Sequence, residues 1–203
     1  MLSAFHERGF TIIELLIGLT LLAVLLGLGA PAMGTYLQNS KLASATASYF
    51  TGIQTARTEA IRRNVLTQFV LTDTPVSTGN LANALAPATG GSNWVVRAAS
   101  SPGVFLPAIE AKASAEGEGS AAAAALVIAG SASAPAVFDG TIPFNGFGGT
   151  ADGAAYAIDI SNPAAGTCKA SGGTIRCRRI TVSPGGQITA CDPAAAAGDS
   201  RAC

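Results

Sequence analysis

The sequence predicts an α+β chain: a long N-terminal helix, apolar in its first half and amphipathic in its second, packed on a C-terminal antiparallel β-rich head. Three observations carry that reading. Between Leu15 and Met33 the only polar side chain is Thr20. From Leu42 to Ala60 apolar residues recur at three- and four-residue spacing. Beyond Asn64 the chain breaks into short β-rich runs separated by Gly, Ser, Pro and Ala.

The helix follows a short polar leader, residues 1–9, which holds His6, Glu7 and Arg8 and ends at Gly9. Residues 10–33 are long enough to cross a bilayer as a helix. Glu14 stands near the start of that stretch, where a carboxylate is costly in hydrocarbon and needs a partner. An opposite charge is the usual partner of a buried carboxylate, and the amine freed by a cut before Phe10 would supply one. A secretory signal peptide carries its cleavage site after its apolar centre. Here the polar part comes first, so a cut after Gly9 would leave the apolar helix on the mature chain. Arg8 and the shortness of the leader favour a cytoplasmic N terminus, with the bulk of the chain on the other side.

The helical pattern continues past Pro31. Leu42, Ala45, Tyr49, Ile53, Ala56 and Ala60 make one helix face. Lys41, Gln54, Arg57, Arg62 and Arg63 mostly lie elsewhere. A single helix is therefore expected from about Phe10 to Arg63, with residues 34–64 as its amphipathic half. Arg62 and Arg63 in the last turn suit the negative end of the helix dipole.

Residues 65–203 form the expected head. Its candidate strands are 65–71, 94–98, 126–129, 141–144, 154–160, 174–182 and 187–191. The intervals 73–93 and 111–135 are low in complexity and read as long loops with room for small strands. Trp94, followed by Val95 and Val96, reads as core. Glu116 and Glu118 read as solvated loop residues.

The last two strands flank Ser183-Pro184-Gly185-Gly186, a turn by its chemistry. Alternation turns Ile180, Val182, Ile188 and Ala190 inward and Cys177, Arg179, Thr181, Gln187, Thr189 and Cys191 outward. The four cysteines, Cys168, Cys177, Cys191 and Cys203, are even in number and lie in the last fifth of the chain. In an extracytoplasmic domain they read as disulfides. Three connectivities are open, and the hairpin faces favour Cys177–Cys191, unless the register shifts by a residue. Lys169, Arg176, Arg178 and Arg179 make the densest basic cluster of the head, with no acidic residue between Cys168 and Ala190. Arginines bind phosphate in forked geometry and stack on bases. Such a cluster is also a common solvated strand edge that discourages aggregation.

Composition closes off several classes. The formal net charge is zero, so no global field draws nucleic acid or membrane. His6 is the only histidine and belongs to the leader. The remaining chain has no histidine for a zinc site, and the cysteine spacing suits four thiolate ligands poorly. A Ser-His-Asp or Cys-His nucleophile is excluded on the same ground. The glycines at 146, 148 and 149 and at 172–173 lack the context of a phosphate-binding loop. No enzyme, metal or cofactor is expected.

Gly9-Phe10-Thr11-Ile12-Ile13-Glu14 against the apolar run resembles a type IV prepilin leader. The resemblance implies cleavage between Gly9 and Phe10 by an inner-membrane prepilin peptidase and N-methylation of Phe10. It also implies pairing of Glu14 with the amino terminus of a neighbouring subunit during fibre assembly. Pro31 fits a family in which a proline kinks or locally melts this helix. The helix end from Thr55 to Asn64, the segment Ile142 to Gly148 and the hairpin from Cys177 to Ile188 resemble the GspH/FimT group of minor pilins and pseudopilins. That group implies a pilin-like fold and an inner-membrane protein with a single pass and a periplasmic head, later part of a pilus fibre. It implies other pilin or pseudopilin subunits as partners, in a pilus at or near its tip or in the fibre of a type II secretion system. Some FimT-like pilins capture DNA during natural transformation through arginines in the C-terminal part of the head. That makes Arg176, Arg178 and Arg179, with Lys169 beside them, candidates for contacting double-stranded DNA.

Overall fold

The computed structural model describes residues 10–77, 85–101, 104–113 and 126–203, without the side chains of residues 28–32. The leader, residues 1–9, lies outside the described residues, as do Glu116, Glu118 and the side chain of Pro31. The fold is α+β. Among the described residues one α-helix, α1 (Ile12–Arg63), precedes nine strands. The chain divides into two units, Met1–Leu37 and Gln38–Cys203.

The first unit holds the beginning of α1. Ile12, Ile13, Leu15, Leu16, Ile17, Leu19, Leu21 and Leu22 are all exposed. Successive helical residues turn by about 100°, so these side chains cover every face of the helix rather than one stripe. Among the described residues, no helix is long and apolar enough to cross a membrane. The expected span, residues 10–33, includes the side chains of residues 28–32, which are not among those described.

In the second unit α1 has a single buried face. Leu42, Tyr49, Ile53, Ala56 and Ala60 are buried, and Ala45 packs at the margin. The helix stops at Asn64, whose φ of 53° is left-handed. Val65 N–H donates to Ala60 O and Asn64 N–H to Ile61 O, each at 3.3 Å, which satisfies two carbonyls of the last turn in a Schellman arrangement. Arg62 and Arg63 both donate to Glu59 and hold its carboxyl down at about 2.

The strands are β1 (Thr67–Thr72), β2 (Asn93–Ser101), β3 (Val104–Phe105), β4 (Glu110–Lys112), β5 (Val127–Ala132), β6 (Thr141–Phe144), β7 (Tyr156–Ser161), β8 (Arg178–Val182) and β9 (Ile188–Cys191). They form two antiparallel sheets. One has the order β3-β2-β1-β6 with β4 also on β2, and the other has the order β5-β7-β8-β9. Phe69, Trp94, Val96, Ile142 and Phe144 from the first sheet join Ile158, Ile160, Ile180 and Val182 from the second in one core with the helix stripe. The outer face of the first sheet is covered as well. Val70 and Val95 pack there with Leu85. Arg97 is buried on that face, donating to Gln68 Oε1 and Leu85 O and lying over the Phe105 ring at 4.3 Å.

The strand at 141–144 lies where the sequence places it. β3 and β4 are additional, and at two and three residues they are too short to show alternation. β8 starts at Arg178 rather than at 174, because a disulfide closes the preceding residues into a loop. Phe144 leads into a turn in which Asn145 Oδ1 accepts from Phe147 N and Gly149 N, leaving the Phe147 ring exposed.

The favoured Cys177–Cys191 pairing is corrected. The disulfides are Cys168–Cys177 and Cys191–Cys203. On β8 the facing is as expected, with Ile180 and Val182 buried. On β9 it is corrected: Ala190, expected inward, is exposed, and Cys191, expected outward, is buried where its disulfide loop covers it. The register sets Arg179, not Cys177, opposite Cys191. The turn between Val182 and Ile188 takes five residues, and Cys177 precedes the strand. Each pair instead closes a local loop, its cysteines nine positions apart in the first and twelve in the second.

Two outcomes are expected. A Cβ at Gly52 would lie 2.9 Å from the rings of both Phe69 and Trp94. Gly52→Val should therefore destabilise the protein by about 1–3 kcal/mol, read as a lowered melting temperature; an unchanged one would refute so close an approach. Peptide mapping without reduction should yield linked peptides 168/177 and 191/203, and a 177/191 peptide would contradict this connectivity.

Candidate functional site

Two places carry the residues singled out by the sequence. The first is the start of α1. Thr11 caps the helix, and Glu14 is its third residue. Glu14 Oε2 accepts from Thr11 N at 2.9 Å and from Thr11 Oγ1 at 2.8 Å, while Glu14 N donates back to Thr11 Oγ1 at 3.3 Å. This is a reciprocal capping box. Its Thr-x-x-Glu signature stands in the sequence at residues 11–14. Phe10, immediately before the cap, is 90% exposed. The carboxylate thus has its hydrogen bonds within its own chain.

The second place is the C-terminal part of the head, where the four basic candidates separate into two pairs. Arg179 on β8 faces Asp159 on β7 through the register of the two strands. Its Nε and Nη2 donate to the two carboxylate oxygens at 2.7 and 2.9 Å. Those hydrogen bonds push the guanidinium upward from its ordinary value. Arg178 lies 3.5 Å from Asp192, whose own side chain is nearly buried. Asp192 is held by its N–H to Arg201 O at 2.7 Å, inside the loop closed by Cys191 and Cys203.

Lys169 and Arg176 are different. Both are exposed, and no ion pair involves either of them among the described residues. They lie in the loop closed by Cys168 and Cys177. The base of that loop is plugged into the core by Ile175, which is 1% exposed. Its exit is tied to α1, where Asn39 Oδ1 accepts from Arg176 N at 2.8 Å.

Sequence reasoning missed Asn39, Asp159 and Asp192. Asp159 was findable: it stands at an outward position of the expected strand 154–160, where an antiparallel neighbour brings an outward arginine against it. Asn39 and Asp192 leave no such local signal. Trp94 is core, its Nε1 donating to Ser48 Oγ at 3.1 Å. Among the described residues no group of three His, Cys, Asp or Glu is placed to hold a metal ion.

No curated protein matches this chain. Two crystal structures of the type IV minor pilin FimU of Pseudomonas aeruginosa, strain PAO1, resemble it. One is 14% identical with a TM-score of 0.44, covering 72% of this chain and 90% of that one. The other is 15% identical with a TM-score of 0.46, covering 76% and 90%. Residues 5–30 match the family described as the prokaryotic N-terminal methylation motif. That segment, which includes Phe10 and Glu14, therefore carries the prokaryotic N-terminal methylation motif.

Proposed function

We propose that this protein is a minor type IV pilin, FimT-like, whose leader is cut between Gly9 and Phe10 by a prepilin peptidase and whose Phe10 is then N-methylated. Residues 10–33 anchor it in the inner membrane as a single pass, with the head in the periplasm, until it enters a fibre at or near the tip. The observation that carries this reading is the methylation segment at 5–30 continuing into a helix that is apolar on every side. Such a surface is stable only under lipid or other apolar helices. Glu14 then meets the amino terminus of a neighbouring subunit, a charge partner that the capping box does not replace.

The same subunit contacts DNA through Lys169 and Arg176. What supports this is their exposure without a carboxylate partner, in contrast to Arg178 and Arg179. The two paired arginines are secondary contacts at most, since a phosphate would have to displace Asp192 or Asp159.

The assembly role is tested at Glu14. Glu14→Ala should leave leader cleavage intact and sharply reduce incorporation into fibres. Glu14→Gln preserves a capping box but removes the charge, so it should fail like Ala. Normal incorporation of the Gln variant would mean that the cap, not the charge, is what matters. Deleting the protein should impair piliation or DNA uptake; lost release of secreted proteins instead would assign it to a type II secretion fibre.

Phosphate contacts make DNA affinity fall steeply with salt. Replacing Lys169 and Arg176 by Ala should weaken binding and flatten the salt slope by about 2. Replacing Arg178 and Arg179 should change it less. Binding that ignores salt, or that survives loss of Lys169 and Arg176, would overturn the proposed contact.

A further inference from the structure

We infer that the Cys168–Cys177 disulfide assembles Lys169 and Arg176 into a two-cation clamp for a phosphodiester, so that the presence of this one bond sets DNA affinity. This deepens the DNA-contact reading above and rests on it.

The argument starts from order in the chain. The two cations stand just inside the two cysteines, in the order Cys168-Lys169 and Arg176-Cys177. Closing the bond brings the cysteine Cα atoms to 5.4 Å. Residues seven apart in sequence thereby leave neighbouring backbone positions. The backbone records this directly. Lys169 N donates to Ile175 O at 2.7 Å, and Cys168 bridges Ile175 in parallel. The peptide that begins Arg176 thus lies against Lys169.

The loop between them is tightly formed. A short 3-10 turn, Lys169–Ser171, ends at Gly172 with φ of 84°. Gly173 N donates back to Cys168 O at 3.0 Å, and a Cβ at Gly173 would lie 2.0 Å from Thr167 O. Inside the loop, residues 169–176, there is no carboxylate. Two like charges borne on adjacent backbone positions repel when their side chains converge, and a shared anion relieves that repulsion. A phosphodiester oxygen accepts from both an ammonium and a guanidinium. Opening the disulfide removes the covalent constraint on this spacing, and binding must then order the loop as well as the side chains.

The second disulfide works on the other pair of charges. Cys191–Cys203 closes the loop that holds Asp192 beside Arg178, so it neutralises a cation instead of presenting one. The two bonds therefore have different consequences for binding.

The test uses the full chain in detergent micelles and a short fluorescent DNA duplex, by anisotropy at fixed moderate salt. Cys168→Ser with Cys177→Ser should bind about three- to tenfold more weakly than the oxidised protein. Circular dichroism and the melting transition must show that this variant is still folded. Cys191→Ser with Cys203→Ser should lose no affinity. The decisive comparison repeats the Cys168/Cys177 change in a Lys169→Ala, Arg176→Ala background, where it should have no further effect. A melted variant would lose affinity in both backgrounds, and that result would overturn the inference. Equal binding by oxidised protein and folded Cys168/Cys177 variant would overturn it too, leaving the DNA-contact reading in place. No binding by the oxidised protein would overturn both.

Discussion

The close approach of the second half of α1 to the sheets is the constraint on which the head depends. Gly52, Ala56 and Ala60 leave room on the helix, and the Phe69 and Trp94 rings, with centroids 5.8 Å apart, fill the space against Gly52. Leu42, Tyr49 and Ile53 fill the deeper gaps. Polar contacts then fix the helix along its axis. Tyr49 Oη donates to Ser92 O, and Trp94 Nε1 donates to Ser48 Oγ. Burial pushes the Tyr49 phenol upward, so it stays a donor throughout the physiological range. Nearer the helix end, Arg57 Nε donates to Gly148 O at 2.9 Å. Both sheets share the core with this one helix, so its register sets which of its side chains meet the loops packed beside it. Asn39 reaches the C-terminal basic loop for that reason.

Away from the helix the head holds itself differently. From Gly166 to Cys177 there are no regular strands, and from Asp192 to Cys203 there is only one isolated bridge, between Asp192 and Ala202. Of these two stretches only Ile175, in the first, is a buried core side chain. Segments with so little apolar burial cannot offset the entropy of ordering their backbone. A disulfide across each lowers that cost by restricting the unfolded chain. The same solution explains the charge pattern. The loop at 168–177 presents its cations to solvent, whereas the loop at 191–203 carries Asp192 inward against Arg178.

Much of this was legible in the sequence, for reasons that differ by element. The helix stripe was readable because six apolar residues repeat at helical spacing, and all but Ala45 are fully buried. The strand at 141–144 was readable because its apolar run ends at an Asn-Gly turn. The disulfide pairing was not, because facing direction alone does not set register: the five-residue turn before Ile188 moves Cys191 two positions from Cys177. The basic cluster was found, but its division into paired and unpaired charges was not. Arg179 is answered by Asp159, twenty residues earlier, and only strand pairing joins them. The capping box at residues 11–14 is the opposite case, a purely local signal carried by Thr11 and Glu14.

The two halves of α1 show why that box matters. A helix with one buried stripe is stabilised by its own head, and its end is closed by Asn64 and the Glu59 pairs. A helix apolar on every side has no such support within the chain, and its first turn would leave backbone donors unmet in an apolar environment. Thr11 and Glu14 answer that locally: the carboxylate accepts from the cap, and the hydroxyl accepts from the helix. The helix dipole adds to the effect, since a negative charge at the third position faces the positive end of the backbone dipoles. The geometry therefore separates two properties of one side chain. Its hydrogen bonds close the first turn of its own helix, and its charge faces the positive end of that helix's dipole. Glutamine at this position would keep the first and lose the second.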